Sequence, residues 1–181
     1  MPVNLLLSVA LLGVFHRVWT VKFGVLIFVV FWVGYLVEVL GVHTGFIFGS
    51  YRYGHALGFK VADVPPMIGV NWVMLIYCTG IASQGLSSNI WVRTSVGALF
   101  MVLLDILIEP MAVRHDMWVW LSPDIPLQNY FAWYVVSWGL LYGFHSLHQE
   151  KSNPIAIPLY LIQLLFFLVF WVIEQGVAGM S

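Results

Sequence analysis

Hydrophobic residues run along this chain in long blocks, broken by short stretches that carry Gly, Pro and polar side chains. Block length and breakers together predict helices near residues 3–15, 21–40, 66–82, 90–108, 127–145 and 155–175. A bilayer core asks for about 20 apolar residues per helix, so six spans with short loops consume nearly the whole chain. The expectation is an all-α, polytopic transmembrane bundle of about six spans, with residues 1–181 forming a single domain. The stretch 5–15 lacks a basic flank and a small-residue cleavage site, and reads as a retained helix. Two long connections remain, 41–65 and 109–126, rich in Gly, Pro, Asp and aromatic residues.

Composition agrees with lipid as the solvent: 61% of residues are hydrophobic, only 8% are charged and mean hydropathy is +0.94. A net charge of -1 without a basic cluster excludes nucleic acid as a partner and gives no site for recruitment by anionic lipid. Cys78, the sole cysteine, sits in an apolar block and cannot form an intrachain disulfide.

Alternating loops turn the charges into geometry. One membrane side receives Glu38, Asp63, Asp105, Glu109, Asp116, Asp124 and Glu174, seven of the eight acids, with Arg52, Lys60 and Arg114. The other receives Arg17, Lys22, Arg93 and Lys151 with Glu150, a basic balance too even to orient the protein.

Among these acids, Asp105 and Glu109 interrupt the apolar run 91–108 and its continuation one helical turn apart, on one helix face. Pro110 is expected to end or kink that helix beside them. Glu38, near the end of the second span, is placed to join them, with His43 beyond it. Intramembrane carboxyls ask for a functional explanation, and where several crowd together at least one keeps its proton. The competing reading is polar glue, in which these acids pair with Arg52, Arg114 or His43.

The connections supply aromatic surfaces. In the first, Gly41, Gly45 and Gly49 are spaced for close packing, and Phe46, Phe48, Tyr51 and Tyr53 form either an interfacial belt or a wall for a long planar ligand. In the second, Trp118 and Trp120 face together if the segment is extended, as interfacial anchors or as indole faces that stabilise a cation. Asn71 with Trp72, and Gln128 with Asn129, open the following helices on the same side, where they are placed to hold a water. The histidines do not suggest a metal site: His145 and His148 lie opposite the acids, and the HxxxH and HxxHH boxes of di-iron membrane enzymes are absent. A P-loop, a dinucleotide GxGxxG, a DDxxD pair and a GxSxG elbow are absent too.

Taken together, EVLGVHTGFIFGSYRYG at 38–54, VP at 64–65, MIGVNW at 67–72, DILIEP at 105–110, WVW at 118–120 and IP at 125–126 resemble the carotenoid biosynthesis family of membrane hydratases. That family includes carotenoid 1',2'-hydratases and bisanhydrobacterioruberin hydratases, and its members often carry a further N-terminal helix. The resemblance runs from about Asn4 to the last helix.

It implies cofactor-independent hydration of the terminal C=C of an acyclic carotenoid end, in a prokaryotic cytoplasmic membrane. The substrate is an acyclic or monocyclic carotenoid, the second reactant water, and other carotenoid enzymes are possible associates. Protonating an alkene calls for a carboxylic acid, cation-facing aromatics and a held water. For that reaction Asp105 or Glu109 is expected to deliver the proton, with Glu38 or Asp116 tuning it or positioning the water. Tyr51, Tyr53, Trp118 and Trp120 would surround the cation or polyene, with His43, Asn71, Trp72 and Asn129 completing the substrate contacts. Two alternatives stay open: a proton-initiated carotenoid cyclase of the lycopene type, and a non-enzymatic carotenoid-binding or transport protein.

Overall fold

The computed structural model describes residues 2–178, with side chains up to residue 173, so the side chain of Glu174 lies outside the described residues. The elements are α1 (Pro2–Phe15), α2 (Val21–Thr44), β1 (Tyr51–Tyr53), α3 (Met67–Gln84), α4 (Ile90–Arg114), β2 (Trp118–Trp120), α5 (Leu127–Ser146) and α6 (Ala156–Ala178). Among the described residues, the architecture is an all-α polytopic bundle of six helices. Four of them, α2, α3, α4 and α6, are individually long and apolar enough to cross a membrane.

Helix α3 is the centre of the bundle, packing against each of the other five. It is also the most polar of those four, carrying Asn71, Tyr77, Thr79 and Ser83, and most of its length is buried. The two facts are linked: a helix shielded from lipid on all sides can carry hydrogen-bonding groups that an outer helix would expose to hydrocarbon. Helix α2 takes the opposite role, with Phe28, Trp32, Val33 and Leu36 on its exposed face. Close approach of α2 to α3 depends on Gly34, where a Cβ would fall 2.3 Å from Trp72 Cγ.

At the end of the bundle remote from the acids, side chains tie the helices to one another. Asn153 donates to the Leu12 carbonyl at 2.8 Å and to the Tyr77 hydroxyl at 3.0 Å, and His16 Nδ1 meets the same hydroxyl at 2.7 Å. His145 contacts Ser83 Oγ at 3.2 Å in this region. Lys151 donates to the Leu147 carbonyl at 2.5 Å, and burial together with the nearby Arg93 lowers its ammonium pKa to about 8.

The opposite end departs from an all-helical picture. Residues of the two long connections pair as a short antiparallel sheet, with Tyr51 opposite Trp120, Arg52 opposite Val119 and Tyr53 opposite Trp118. Two flanking bonds extend it, Leu121 N–H to the Ser50 carbonyl and Gly54 N–H to the Met117 carbonyl, both 2.9 Å. Hydrophobic block length could not reveal this pairing, because each strand is three residues long and its partner lies more than sixty residues away.

Pro110 does not end α4, which continues to Arg114 before His115 N–H bonds back to the Met111 carbonyl at 3.0 Å. The extra turn is held by burial of Met111 and Ala112. The glycines of the first connection serve the fold-back of the loop and do not form a helix seam. A Cβ on Gly41 would lie 2.5 Å from Phe48, while Gly45 caps α2 with φ of 65°.

Candidate functional site

Each strand delivers two aromatic side chains to one carboxylate. In β1, residues two apart point the same way, so the Tyr51 and Tyr53 hydroxyls both donate to Glu38 Oε2, at 2.5 and 2.7 Å. In β2 the same periodicity sends the Trp118 and Trp120 indole N–H groups to Glu109 Oε2, at 3.1 and 2.9 Å. The sheet therefore stitches the end of α2 to the end of α4. Burial, and then the Glu38 carboxylate, push the Tyr51 and Tyr53 phenol pKa values far up, so both phenols remain donors.

Glu38 accepts a third bond on its other oxygen, from Trp72 Nε1 at 3.3 Å. Trp72 stacks on Trp133 with ring centroids 4.5 Å apart, which brings an α5 indole beside the acids. Among the described residues, Asp105 differs from its neighbours in receiving one hydrogen bond, from Asn129 Nδ2 at 2.8 Å. Glu38, Asp105 and Glu109 are all buried.

These groups line a cavity of about 280 Å³ beneath the sheet. Its acid end is lined by Glu38, Asp105, Glu109, Tyr51, Tyr53, Trp118, Trp120, Asn129 and Trp133. Asn71 reaches it from α3, and Asn4, Ser8 and Gln163 come from α1 and α6. Apolar walls are supplied by Phe48, Leu57, Met74, Leu75, Leu104 and Ile108 among others. No Lys, Arg or His lines it among the described residues, so the carboxyls face phenols, indoles and amides and not the basic partners that the polar-glue reading required.

Of the twelve residues assigned catalytic or substrate-binding roles from the sequence, the structure brings ten together, Trp72 joining by its bond to Glu38, and leaves His43 and Asp116 apart. His43 is exposed, 3.3 Å from the Ala62 carbonyl and 3.6 Å from Asp63, because it falls in the last turn of α2 beyond the buried face that carries Glu38. Asp116 is exposed at the tight turn before β2, with φ of 54°, and its Oδ2 accepts from His55 N at 2.9 Å and pairs with His55 Nδ1 at 3.1 Å. Those contacts, the backbone one first, hold its pKa below the usual carboxylate range. Asp116 thereby clasps the outer rim of the sheet. Gln128 ties the start of α5 to the Gly45 and Phe46 carbonyls and also stays outside the cavity.

Trp133, Ser8 and Gln163 were not singled out from the sequence. Trp133 follows Asn129 at i+4 on α5, and Gln163 is a lone amide inside an apolar block; those are the signals that could have found these two. Among the described residues, no group of three or more His, Cys, Asp or Glu is arranged to hold a metal ion.

A family model described as "Carotenoid biosynthesis protein" matches residues 1–180. The chain belongs to this family. Among curated proteins it is similar to the bisanhydrobacterioruberin hydratase of Haloarcula japonica, with 31% identity over 107 residues, which is 55% of this chain and 36% of that relative. The match thus spans about a third of the relative's length. No solved structure matches the chain. The cavity of this carotenoid biosynthesis protein joins an acid-lined end to mostly apolar walls inside the helical bundle.

Proposed function

We propose that this protein is a carotenoid hydratase of a prokaryotic cytoplasmic membrane, adding water to the terminal C=C of an acyclic end group to form a tertiary alcohol. The observation that carries the reading is the unequal provision of hydrogen-bond donors to three neighbouring buried carboxyls. Glu38 accepts three bonds and Glu109 two, all from neutral donors, as suits a fixed negative charge. Asp105 accepts one from an amide, whose own oxygen is equally able to accept from a protonated carboxyl.

Asp105 is the proposed acid. Its proton goes to the less substituted alkene carbon, and the π electrons form the new C–H bond, leaving a tertiary cation. Indole faces of Trp118, Trp120 and Trp133 and the negative charges of Glu38 and Glu109 stabilise that cation. Water, oriented by Asn71 and the free oxygen of Glu109, attacks the cation and forms the C–O bond. The proton it sheds passes to Glu109 and returns to Asp105, so atoms and charge balance without a redox cofactor.

Expression in cells that accumulate lycopene or a related acyclic carotenoid tests the proposal by pigment mass. A gain of one water per modified end supports the hydratase. An isomer of unchanged mass would instead make the protein a cyclase, in which a neighbouring alkene quenches the same cation. Unaltered pigment across several acyclic substrates, with the protein folded in the membrane, would leave carotenoid binding or transport.

A further inference from the structure

The cavity has two ends of different character. Its acid end is roofed by the sheet, while its other end reaches two helices that do not clasp each other. Both α1 and α6 lie against α3, and α6 also against α4, but contact between α1 and α6 is slight among the described residues. They are tied where Asn153, in the segment leading into α6, bonds to the Leu12 carbonyl of α1. From that tie the two helices run toward the acids, with Leu5 and Ser8 on one side and Ile162, Gln163 and Phe167 on the other, all lining the cavity. Between them the floor is Asn71, Met74 and Leu75 of α3, with Gln163 Nε2 resting 3.2 Å from Met74 Sδ.

Several residues of this rim face two ways. Ile162 lines the cavity yet is 65% exposed on the outside of the bundle, and Phe166 and Asn4 combine the same properties. A side chain that belongs both to a cavity wall and to the outer, lipid-facing surface marks an opening in the plane of the membrane. Size points the same way. A cavity of about 280 Å³ has room for an end group, whereas a long polyene extends over much of the ~30 Å hydrocarbon core.

We propose that the cavity opens sideways into lipid between α1 and α6, and that a long isoprenoid chain inserts one end group there while the rest of the chain stays outside, along α6. This rests on the proposed function for the identity of the chain. Its consequences are particular: substrate is taken from the bilayer and not from water, the two ends of a symmetric substrate are handled in separate visits, and chemistry beyond the end group goes unread.

Two measurements test it, the first independent of catalysis. In lipid nanodiscs, with Cys78→Ser as background, a dye is attached at Ile162→Cys or at Phe28→Cys on the exposed face of α2, and lycopene is titrated in. Saturable quenching at position 162, with only a linear background at 28, supports the opening; equal quenching at both positions overturns it. The second compares lycopene with a short acyclic alkene bearing the same end group, in Asn4→Trp and, separately, Leu5→Trp variants of the full chain. Obstruction of the gap should depress conversion of lycopene roughly ten-fold more than conversion of the short alkene. Equal effects on both substrates in both variants, or no effect on either, would overturn it. If the unaltered, folded protein hydrates none of several acyclic substrates, the hydratase reading fails, and the quenching experiment still decides whether the opening exists.

Discussion

The bond pair from Tyr51 and Tyr53 to Glu38 can be removed one oxygen at a time. Tyr→Phe deletes only the hydroxyl and keeps the ring that packs against Trp118 or Trp120. The lost bonds are short, buried and directed at a carboxylate, a class worth about 1.5–3 kcal/mol each. Because both converge on Oε2, the first loss is cushioned by the remaining phenol and the second is not. Tyr51→Phe or Tyr53→Phe alone should cost about 1–2 kcal/mol, and the pair about 3–5 kcal/mol, leaving Glu38 with Trp72 at 3.3 Å. At roughly 2–4 °C per kcal/mol for a chain of this size, the double variant should unfold about 10 °C lower. Thermal unfolding in bicelles, followed by loss of helical circular dichroism, measures this. In a Glu38→Gln background the same substitutions remove neutral hydrogen bonds, and their combined cost should fall to about 1–3 kcal/mol. If the double Tyr→Phe variant cost the same in both backgrounds, the sheet would not be anchored through a charged Glu38 and the assignment of charge among the acids would collapse.

Asp105→Asn should lower hydration by roughly 10²–10⁴-fold, the usual contribution of a general acid, and Glu109→Gln should also reduce product severely, with membrane insertion intact in both; pigment mass and membrane fractionation check this, and full activity in both would remove the acids from the mechanism. Asp116→Asn should leave most activity in place, since the side chain points away from the cavity to His55. The folded pKa of Asp116 lies below the ordinary range, so its stabilisation is present above that range and disappears as pH falls through the folded value. The difference in unfolding temperature between the parent and Asp116→Asn should accordingly be seen at neutral pH and vanish in strong acid. Gly34→Ala should displace Trp72, whose Cγ would lie 2.3 Å from the new methyl, costing about 1–3 kcal/mol in thermal unfolding; a neutral result would mean that α2 and α3 can separate without strain.

Block hydrophobicity determined the solvent and the helical class, because a bilayer imposes a length and an apolar surface on each span. The i, i+4 spacing of Asp105 and Glu109 and the i, i+2 spacing of Trp118 and Trp120 are local periodicities, so they too were legible. What no local pattern contains is which carboxylate receives which donors. Tertiary structure decided that by pairing β1 with β2, which sends the tyrosines to Glu38 and the indoles to Glu109 and leaves Asp105 to Asn129. The same long-range packing turned Asp116 and His43 outward, although sequence proximity to the acids had recommended both. Three similar acids in one membrane thus acquire different partners only once the chain has folded, since hydrogen bonds act over about 3 Å and the groups that make them lie tens of residues apart.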